Sequence, residues 1–316
     1  MRHSNVLVLG GSGFIGRYIV NFLIDRGCRV TVPARRRDHA KHLIVFPTCE
    51  VVEASIHDDA ALDRLMSGQQ AVINLVGILQ GREADFMRAH AELPRRVAAA
   101  CRKARVRRLL HMSALGADPS GPSMYQRSKG AGEQAVRESQ LDWTIFQPSV
   151  VFGPEDRFLN TFATLARFAP LIPLAGADVK FQPVWVEEVA QAFVNALDNP
   201  ATVGKTYELA GPRIYTLREL VQFAAGAAGH PRAVIGLPDG LARIQARLME
   251  LAPGEPLMSR DNLDSMKRDN VASVQPFKPA PELGITHTPM EPEASIYLAG
   301  MHPRSRFGGF RAHARR

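Results

Sequence analysis

The sequence predicts an α/β fold: a Rossmann-type doubly wound parallel sheet with a smaller C-terminal lobe on its substrate side. Three observations carry this. The apolar run Val6-Leu7-Val8-Leu9 passes through a glycine cluster into the helical pattern Phe14, Ile15, Tyr18, Ile19, Phe22. A second apolar run over residues 28–32 supplies the next strand of a βαβ unit. Short apolar runs then keep alternating with helical patterns, as parallel strands joined by helices require.

Taken in order, strands are expected at residues 6–9, 30–32, 51–52, 71–76, 108–112 and 143–146. Residues 184–197 read as a strand entering a helix, and Tyr207-Glu208-Leu209 as one more strand of the same sheet. Residues 155–180 and 212–300 carry more proline and turn signals between short helices. The expected domains are therefore 1–154 with 181–211 for dinucleotide binding, and 155–180 with 212–300 for a smaller lobe at the carboxyl edge of the sheet. Residues 301–316 read as a basic, disordered tail.

With 316 residues, 46% of them hydrophobic, the chain can bury a full core. Cys28, Cys49 and Cys101 stand far apart without zinc-ligand spacing, so neither a disulfide framework nor a metal site is expected, and a reducing, cytoplasmic compartment fits. Met1-Arg2-His3 runs straight into the first strand, so no leader is expected, and no run is long enough to span a bilayer. The net charge of +8 is local: Arg35-Arg36-Arg37, the stretch Arg102 to Arg108, and a tail from Arg304 with five arginines and no acid. No nucleic-acid-reading pattern accompanies these clusters, so sequence-specific nucleic-acid binding is not expected.

Gly10, Gly13 and Gly16 give G-x-x-G-x-x-G, and Gly11, Gly13 and Gly16 also satisfy G-x-G-x-x-G. Glycine there lets the backbone approach a pyrophosphate, while the helix start offers unpaired N–H groups to the anion. After the second strand, NAD-specific folds place a carboxylate for the ribose 2′-hydroxyl. This chain reads Val32-Pro33-Ala34-Arg35-Arg36-Arg37, with no acid before Asp38. The forked guanidinium suits a 2′-phosphate, so NADP(H) is expected over NAD(H), with Arg35 as first contact and Arg36 as second. A solvated basic turn is the alternative.

The segment "HMSALGADPSGPSMYQRSKGAGE" holds Ser113, Tyr125 and Lys129. The tyrosine and lysine share a helix face at i, i+4, and Ser123 with Gln126 is a capping signature that starts this helix just before Tyr125. An adjacent ammonium and a positive nicotinamide ring would favour the phenolate, and the lysine could bond the ribose hydroxyls. A serine at a strand end could hold a substrate oxygen while the nicotinamide carries hydride. Y-x-x-x-K alone is a common accident; its place on the helix after the fifth strand gives it weight.

At these residues the sequence resembles the extended and atypical short-chain dehydrogenase/reductases. More narrowly, it resembles the subgroup related to the NADPH-holding accessory subunit of respiratory complex I, with bacterial stand-alone relatives. "GGSGFIGRYIV", "NLVGIL", "FQPSVVFGPEDRFLN", "FQPVWVEEVA" and "GKTYELAGPRIYTLREL" join the segment above in this resemblance, which spans roughly residues 5–220. It implies a cofactor surrounded by the glycine loop (Gly10, Ser12, Gly13, Phe14, Ile15, Gly16), Arg35 and Arg36, the strand end Val76-Gly77, Tyr125, Lys129 and the turn Pro148-Ser149-Val150. It implies two readings: an oxidoreductase or epimerase-type enzyme acting on a hydroxyl or carbonyl in a cleft between the lobes, or a protein that holds NADPH in a respiratory or quinone-related assembly.

Three further features are read conservatively. His111 is expected to be structural, and Trp185 to pack in the core. Asp156 and Arg157 are expected either to face the substrate or to form a surface ion pair. Leu241, Ile244, Leu248 and Leu251 make one helical stripe bordered by Arg243 and Arg247. Such a stripe is expected to cover its own domain, with peripheral docking on the inner face of a membrane as the alternative.

Overall fold

The computed structural model describes residues 3–251, 254 and 256–301. The elements run β1 (Asn5–Leu9), α1 (Phe14–Asp25), β2 (Arg29–Ala34), α2 (Lys41–Ile44), β3 (Cys49–Glu53), α3 (Asp59–Met66) and β4 (Ala71–Asn74). Next come α4 (Glu83–Met87), a π-helical turn over Arg88–Glu92, α5 (Leu93–Ala104), β5 (Arg108–Met112), α6 (Met124–Arg137) and β6 (Asp142–Pro148). After β7 (Val151–Phe152), α7 (Leu159–Phe168), β8 (Leu171–Ala175), β9 (Lys180–Phe181) and β10 (Val184–Trp185) come α8 (Val186–Leu197) and β11 (Lys205–Leu209). The chain continues through β12 (Tyr215–Thr216), α9 (Leu217–Ala227), β13 (Ala233–Leu237), α10 (Asp239–Leu251), α11 (Arg260–Ser265) and α12 (Met290–Leu298).

The chain divides into two compact units. The first comprises the described part of Met1–Pro148, with Val186–Leu209 and Lys278–Thr286. Its seven strands form one parallel sheet in the order β11-β6-β5-β4-β1-β2-β3. Strand order reverses beside β1, so the connections after β1 and β4 leave in opposite directions and open a crevice at their carboxyl ends. Val6 to Leu9 are fully buried, because a central parallel strand is covered on both faces. β4 stops at Asn74, two residues short of the expected strand, because the Asn74 side chain accepts the Val76 N–H at 3.2 Å.

Arg108 opens β5 inside this unit although it is a charge. Its guanidinium donates to the carbonyls of Asp142, Ala196 and Leu197 and to Thr202 Oγ1. Burial draws its pKa down to about 10, still well above neutrality. Arg108→Met keeps the bulk and orphans those acceptors; urea unfolding is expected to show a loss of about 3 kcal/mol. A loss below about 1 kcal/mol would mean that water replaces the guanidinium.

The second unit comprises Ser149–Trp185, Ala210–Phe277 and the described part of His287–Arg316. It is built from three two-stranded ribbons, β7 with β10, β9 with β12 and β8 with β13, so β10 belongs to a ribbon rather than to the main sheet. One core gathers Phe152, Leu159, Tyr215, Leu220, Met290 and Leu298, and Trp185 packs against it as expected.

Two expectations fail here for identifiable reasons. Among the described residues Asp156 pairs with no cation, and it does not face outward: its buried carboxylate accepts the N–H groups of Gly153, Leu159 and Asn160 and the Tyr297 hydroxyl, capping the start of α7. The stripe on α10 does not cover its own unit. Ala242 and Ala246 are buried, whereas Leu241, Ile244, Leu248 and Leu251 are 55%, 58%, 63% and 77% exposed. Small residues at i, i+4 bring the helix axis close to the unit and turn the aliphatic stripe to the outside. The expected tail over 301–316 lies outside the described residues except for Met301. Among the described residues no helix is long and apolar enough to cross a membrane.

Candidate functional site

The glycine turn after β1 comes first. Gly10 has φ +81°, a conformation that side chains disfavour, and a Cβ there would meet the backbone of Leu75 at 3.3 Å. A Cβ on Gly16 would lie 2.4 Å from Gly10 O, so glycine lets α1 close on the turn. Gly13 is the N-cap, with ordinary extended backbone and no side chain to bond the helix start. No acid stands in the first turn of α1. The N–H groups of Phe14, Ile15 and Gly16 therefore have no side-chain cap of the helix's own, the arrangement an anion can satisfy.

At the end of β2, Arg35 and Arg36 are exposed and make no ion pair among the described residues. His57, after β3, is held below its ordinary pKa, first by partial burial and then by Arg88, Arg96 and Arg35. Guanidiniums from three separate segments thus act on one histidine, with Glu92 opposing them and Arg96 itself paired with Asp59 at 2.6 Å. The sequence reading found only Arg35; Arg88 and Arg96 had no signal, because arginines on a helix usually mark a solvated face.

The second cluster lies across the ends of β4, β5 and α6. Ser123 caps α6, its Oγ accepting the Gln126 N–H at 3.1 Å, which fixes Tyr125 and Lys129 on one face. Lys129 is buried, its Nζ donating to Met112 O at 3.2 Å and standing 5.9 Å from the centre of the Tyr125 ring. A Cβ on Gly77 would lie 3.3 Å from that Nζ, so the strand end Val76-Gly77 and Lys129 line one wall. Ser113 follows β5, its N–H bonded to Phe146 O, and its Oγ is buried without a hydrogen-bond partner among the described residues.

Two neutral histidines back this wall. Asn74 Oδ1 takes the Val76 N–H, so its amide nitrogen must donate to His111 Nδ1 at 3.2 Å. The proton of a neutral His111 then sits on Nε2, which is buried and unpartnered among the described residues. His90 is the opposite tautomer: Nε2 accepts the Ile78 N–H at 3.0 Å, and Nδ1 donates to Ser128 Oγ at 2.9 Å. Ser128 Oγ in turn donates to Tyr125 O. Burial, reinforced by the Lys129 charge, pulls His90 down to about 2 and His111 to about 3.

His90 went unnoticed in the sequence because the π-turn that carries it has no periodic signature. It ties the loop after β4 to α6 and packs edge-on against Tyr125, ring centres 5.4 Å apart. Gly132 makes this approach possible, since a Cβ there would meet His90 O at 1.9 Å.

The expected activation of the phenol needs correction for the protein alone. Burial raises Tyr125 to about 12 and lowers Lys129 to about 8, with Glu133 opposing the latter. At neutral pH the pair is a phenol and an ammonium. The turn after β6 is divided between the units: Pro148 O accepts the Leu115 N–H in the first, and the Val150 N–H is taken by Asn270 Oδ1 in the second.

These features fit a dinucleotide on the first unit: an uncapped helix start behind a close glycine turn at one end, and orphaned buried polar atoms at Ser113 and His111 at the other. Among the described residues no group of three His, Cys, Asp or Glu could hold a metal ion.

Comparison with known proteins agrees with this geometry. The profile of the "NAD dependent epimerase/dehydratase family" matches residues 6–210. The subunit 9 of the NADH dehydrogenase [ubiquinone] 1 alpha subcomplex of Rattus norvegicus mitochondria is 33% identical over 291 residues, covering 90% of this chain and 77% of its own. A ceramide reductase of Caulobacter vibrioides is 32% identical over 237 residues, 74% of each chain. Among solved structures, an NADPH-dependent quinone oxidoreductase from Escherichia coli in complex with NADPH superposes with a TM-score of 0.75. It covers 92% of this chain and 99% of that one at 20% identity, a likeness of fold.

Proposed function

The chain belongs to the NAD dependent epimerase/dehydratase family of NAD(P)-binding proteins, the atypical short-chain dehydrogenase/reductases, and from that premise we propose that it is an NADP(H)-dependent oxidoreductase or epimerase-type enzyme acting on a hydroxyl or carbonyl group. The observation that carries this reading is the buried Ser113 Oγ, without a partner among the described residues and next in sequence to Met112, whose carbonyl takes the Lys129 ammonium. A buried hydroxyl without a partner is costly, and a substrate oxygen would satisfy it.

In this reading Gly10, Ser12, Gly13, Phe14, Ile15 and Gly16 hold the pyrophosphate, and Arg35 with Arg36 holds the 2′-phosphate. Val76, Gly77, Pro148 and Val150 border the nicotinamide end. When bound, the nicotinamide supplies or takes the hydride. Lys129 Nζ bonds the ribose hydroxyls, Ser113 Oγ orients the substrate oxygen, and Tyr125 Oη gives or takes the proton at that oxygen. The first unit serves as the cofactor domain, the second as the lobe that selects the substrate, and the chain works in the cytoplasm.

A second reading, a holder of NADPH in a respiratory or quinone-related assembly, draws on a specific observation as well: the 33%-identical relative is by name a subunit of a ubiquinone-reducing complex. The experiment that separates the two identifies the nucleotide that co-purifies. It then follows its absorbance with quinones, quinone precursors, nucleotide sugars and a ceramide. Oxidation with any of them supports the enzyme; a bound NADPH inert to all supports the holder.

Cofactor choice gives its own prediction. Arg35→Glu replaces a phosphate partner with a like charge and leaves the glycine turn intact. NADPH affinity is expected to fall about a hundredfold and NADH affinity less than about threefold, read by fluorescence titration. Equal losses for both cofactors would remove Arg35 from the 2′-phosphate site.

A further inference from the structure

We infer that α10 docks the protein on an anionic lipid surface, lying in the interface with Leu241, Ile244, Leu248 and Leu251 inserted among the acyl chains. Spaced by three, four and three residues, these side chains form one ridge spanning about 15 Å at the helical rise. All four are more than half exposed. An ordinary surface helix turns such a ridge inward. Here the inward positions are Ala242 and Ala246, so the outward ridge is the arrangement that the sequence itself builds.

The charges around the ridge select the occupant. At about 3.6 residues per turn, Arg247 lies on the flank of the ridge, while Arg243, Asp239 and Glu250 fall on the far side with the buried alanines. Glu250 is engaged by Arg260 at 2.8 Å, and Asp264 is partly covered by Arg243 at 3.0 Å. Of the charged side chains on α10, the ridge's half of the helix therefore carries Arg247, which is exposed. These ion pairs, with Gln245 Nε2 reaching Pro173 O, also fix the helix to its unit, so little order remains to be imposed on docking. The β8–β13 ribbon of the same unit also exposes Leu171 and Ile235.

A protein partner suits this face less well. Protein interfaces concentrate their energy in buried tyrosine, tryptophan and arginine, whereas this ridge is leucine and isoleucine alone. An aliphatic ridge with an arginine on its border has the composition of an interfacial helix, which draws on acyl-chain burial together with attraction to anionic headgroups.

The test is flotation of the full chain with vesicles of phosphatidylcholine alone and of an equal mixture of phosphatidylcholine and phosphatidylglycerol. The wild type is expected to float with the mixture, much less with phosphatidylcholine, and to be weakened but not released by high salt. Ile244→Gln/Leu248→Gln/Leu251→Gln changes only exposed positions and keeps good helix formers. It is expected to lower partitioning at least about tenfold while cofactor binding and thermal melting stay as in the wild type. Arg247→Glu should weaken binding to the mixture alone. If the triple variant floats like the wild type, the arginine-rich C-terminal segment does the binding and the proposal fails. It fails equally if the wild type does not float, or if the ridge proves to be a dimer contact that the triple variant abolishes in lipid-free solution.

Discussion

A Gly13→Asp chain is expected to fold and to lose NADP(H) binding. Gly13 is the N-cap of α1, and its φ of −77° is open to any residue. Aspartate is among the best N-caps, so its carboxylate would settle on the N–H groups of the first helical turn. Those are the groups proposed to hold the pyrophosphate. One carboxylate about 4 Å from one phosphate charge costs ~4 kcal/mol at the effective dielectric of a protein surface, about a thousandfold in Kd. The new Cβ stands 3.2 Å from Gly10 O, a contact that needs a shift of only a few tenths of an ångström. Gly13→Ala introduces that contact without the charge and should weaken binding about tenfold or less. Calorimetric titration with NADPH, beside thermal melts, decides the matter. An alanine variant as damaged as the aspartate variant would assign the effect to crowding of the turn. Undiminished affinity in a folded Gly13→Asp chain would take the glycine turn out of the cofactor site.

The parts of this protein that were legible in the sequence are those where one residue type answers one local demand. The strand–glycine–helix unit could be read because a close turn tolerates no side chain at Gly10 or Gly16, and the start of α6 because Ser123 bonds the Gln126 N–H directly. What stayed hidden depends on partners distant in sequence. His90 matters through Ile78, Ser128 and Tyr125, joined by a π-turn and the missing side chain of Gly132. Arg88 and Arg96 matter through the fold that carries them to His57. The stripe on α10 was visible, yet its direction was misread, because periodicity finds an apolar face without saying which neighbour covers it. In that helix the deciding residues are Ala242 and Ala246, whose smallness a count of large apolar residues overlooks. Asp156 was misjudged in the same way: an acid beside an arginine suggests a surface pair, whereas three backbone N–H groups and a tyrosine hydroxyl hold it inside.

Tyr125→Phe is expected to separate the enzyme from the holder, because it removes one hydroxyl and keeps the ring that packs against His90 and Phe86. In the protein alone, burial keeps this phenol protonated, up to about 12, while Lys129 near 8 remains largely charged at neutral pH. In the enzyme reading, positive charge delivered with the cofactor, added to that of Lys129, would draw the phenol back down. A positioned proton donor contributes ~10²–10⁴-fold in rate, and an enzyme should lose about that much turnover with NADPH affinity nearly unchanged. Lys129→Met is the companion. It fills the same buried space without the ammonium, and under either reading it should weaken NADPH about tenfold or more if Nζ bonds the ribose. The two variants therefore report on different things: Lys129→Met tests the placement of the cofactor, and Tyr125→Phe tests chemistry. In the source organism, a Tyr125→Phe gene that restores function fully beside a Gly13→Asp gene that does not would overturn the enzyme and leave cofactor holding as the task. Failure of both genes, with both proteins folded and the Tyr125→Phe protein still loaded with NADPH, is the outcome that catalysis predicts.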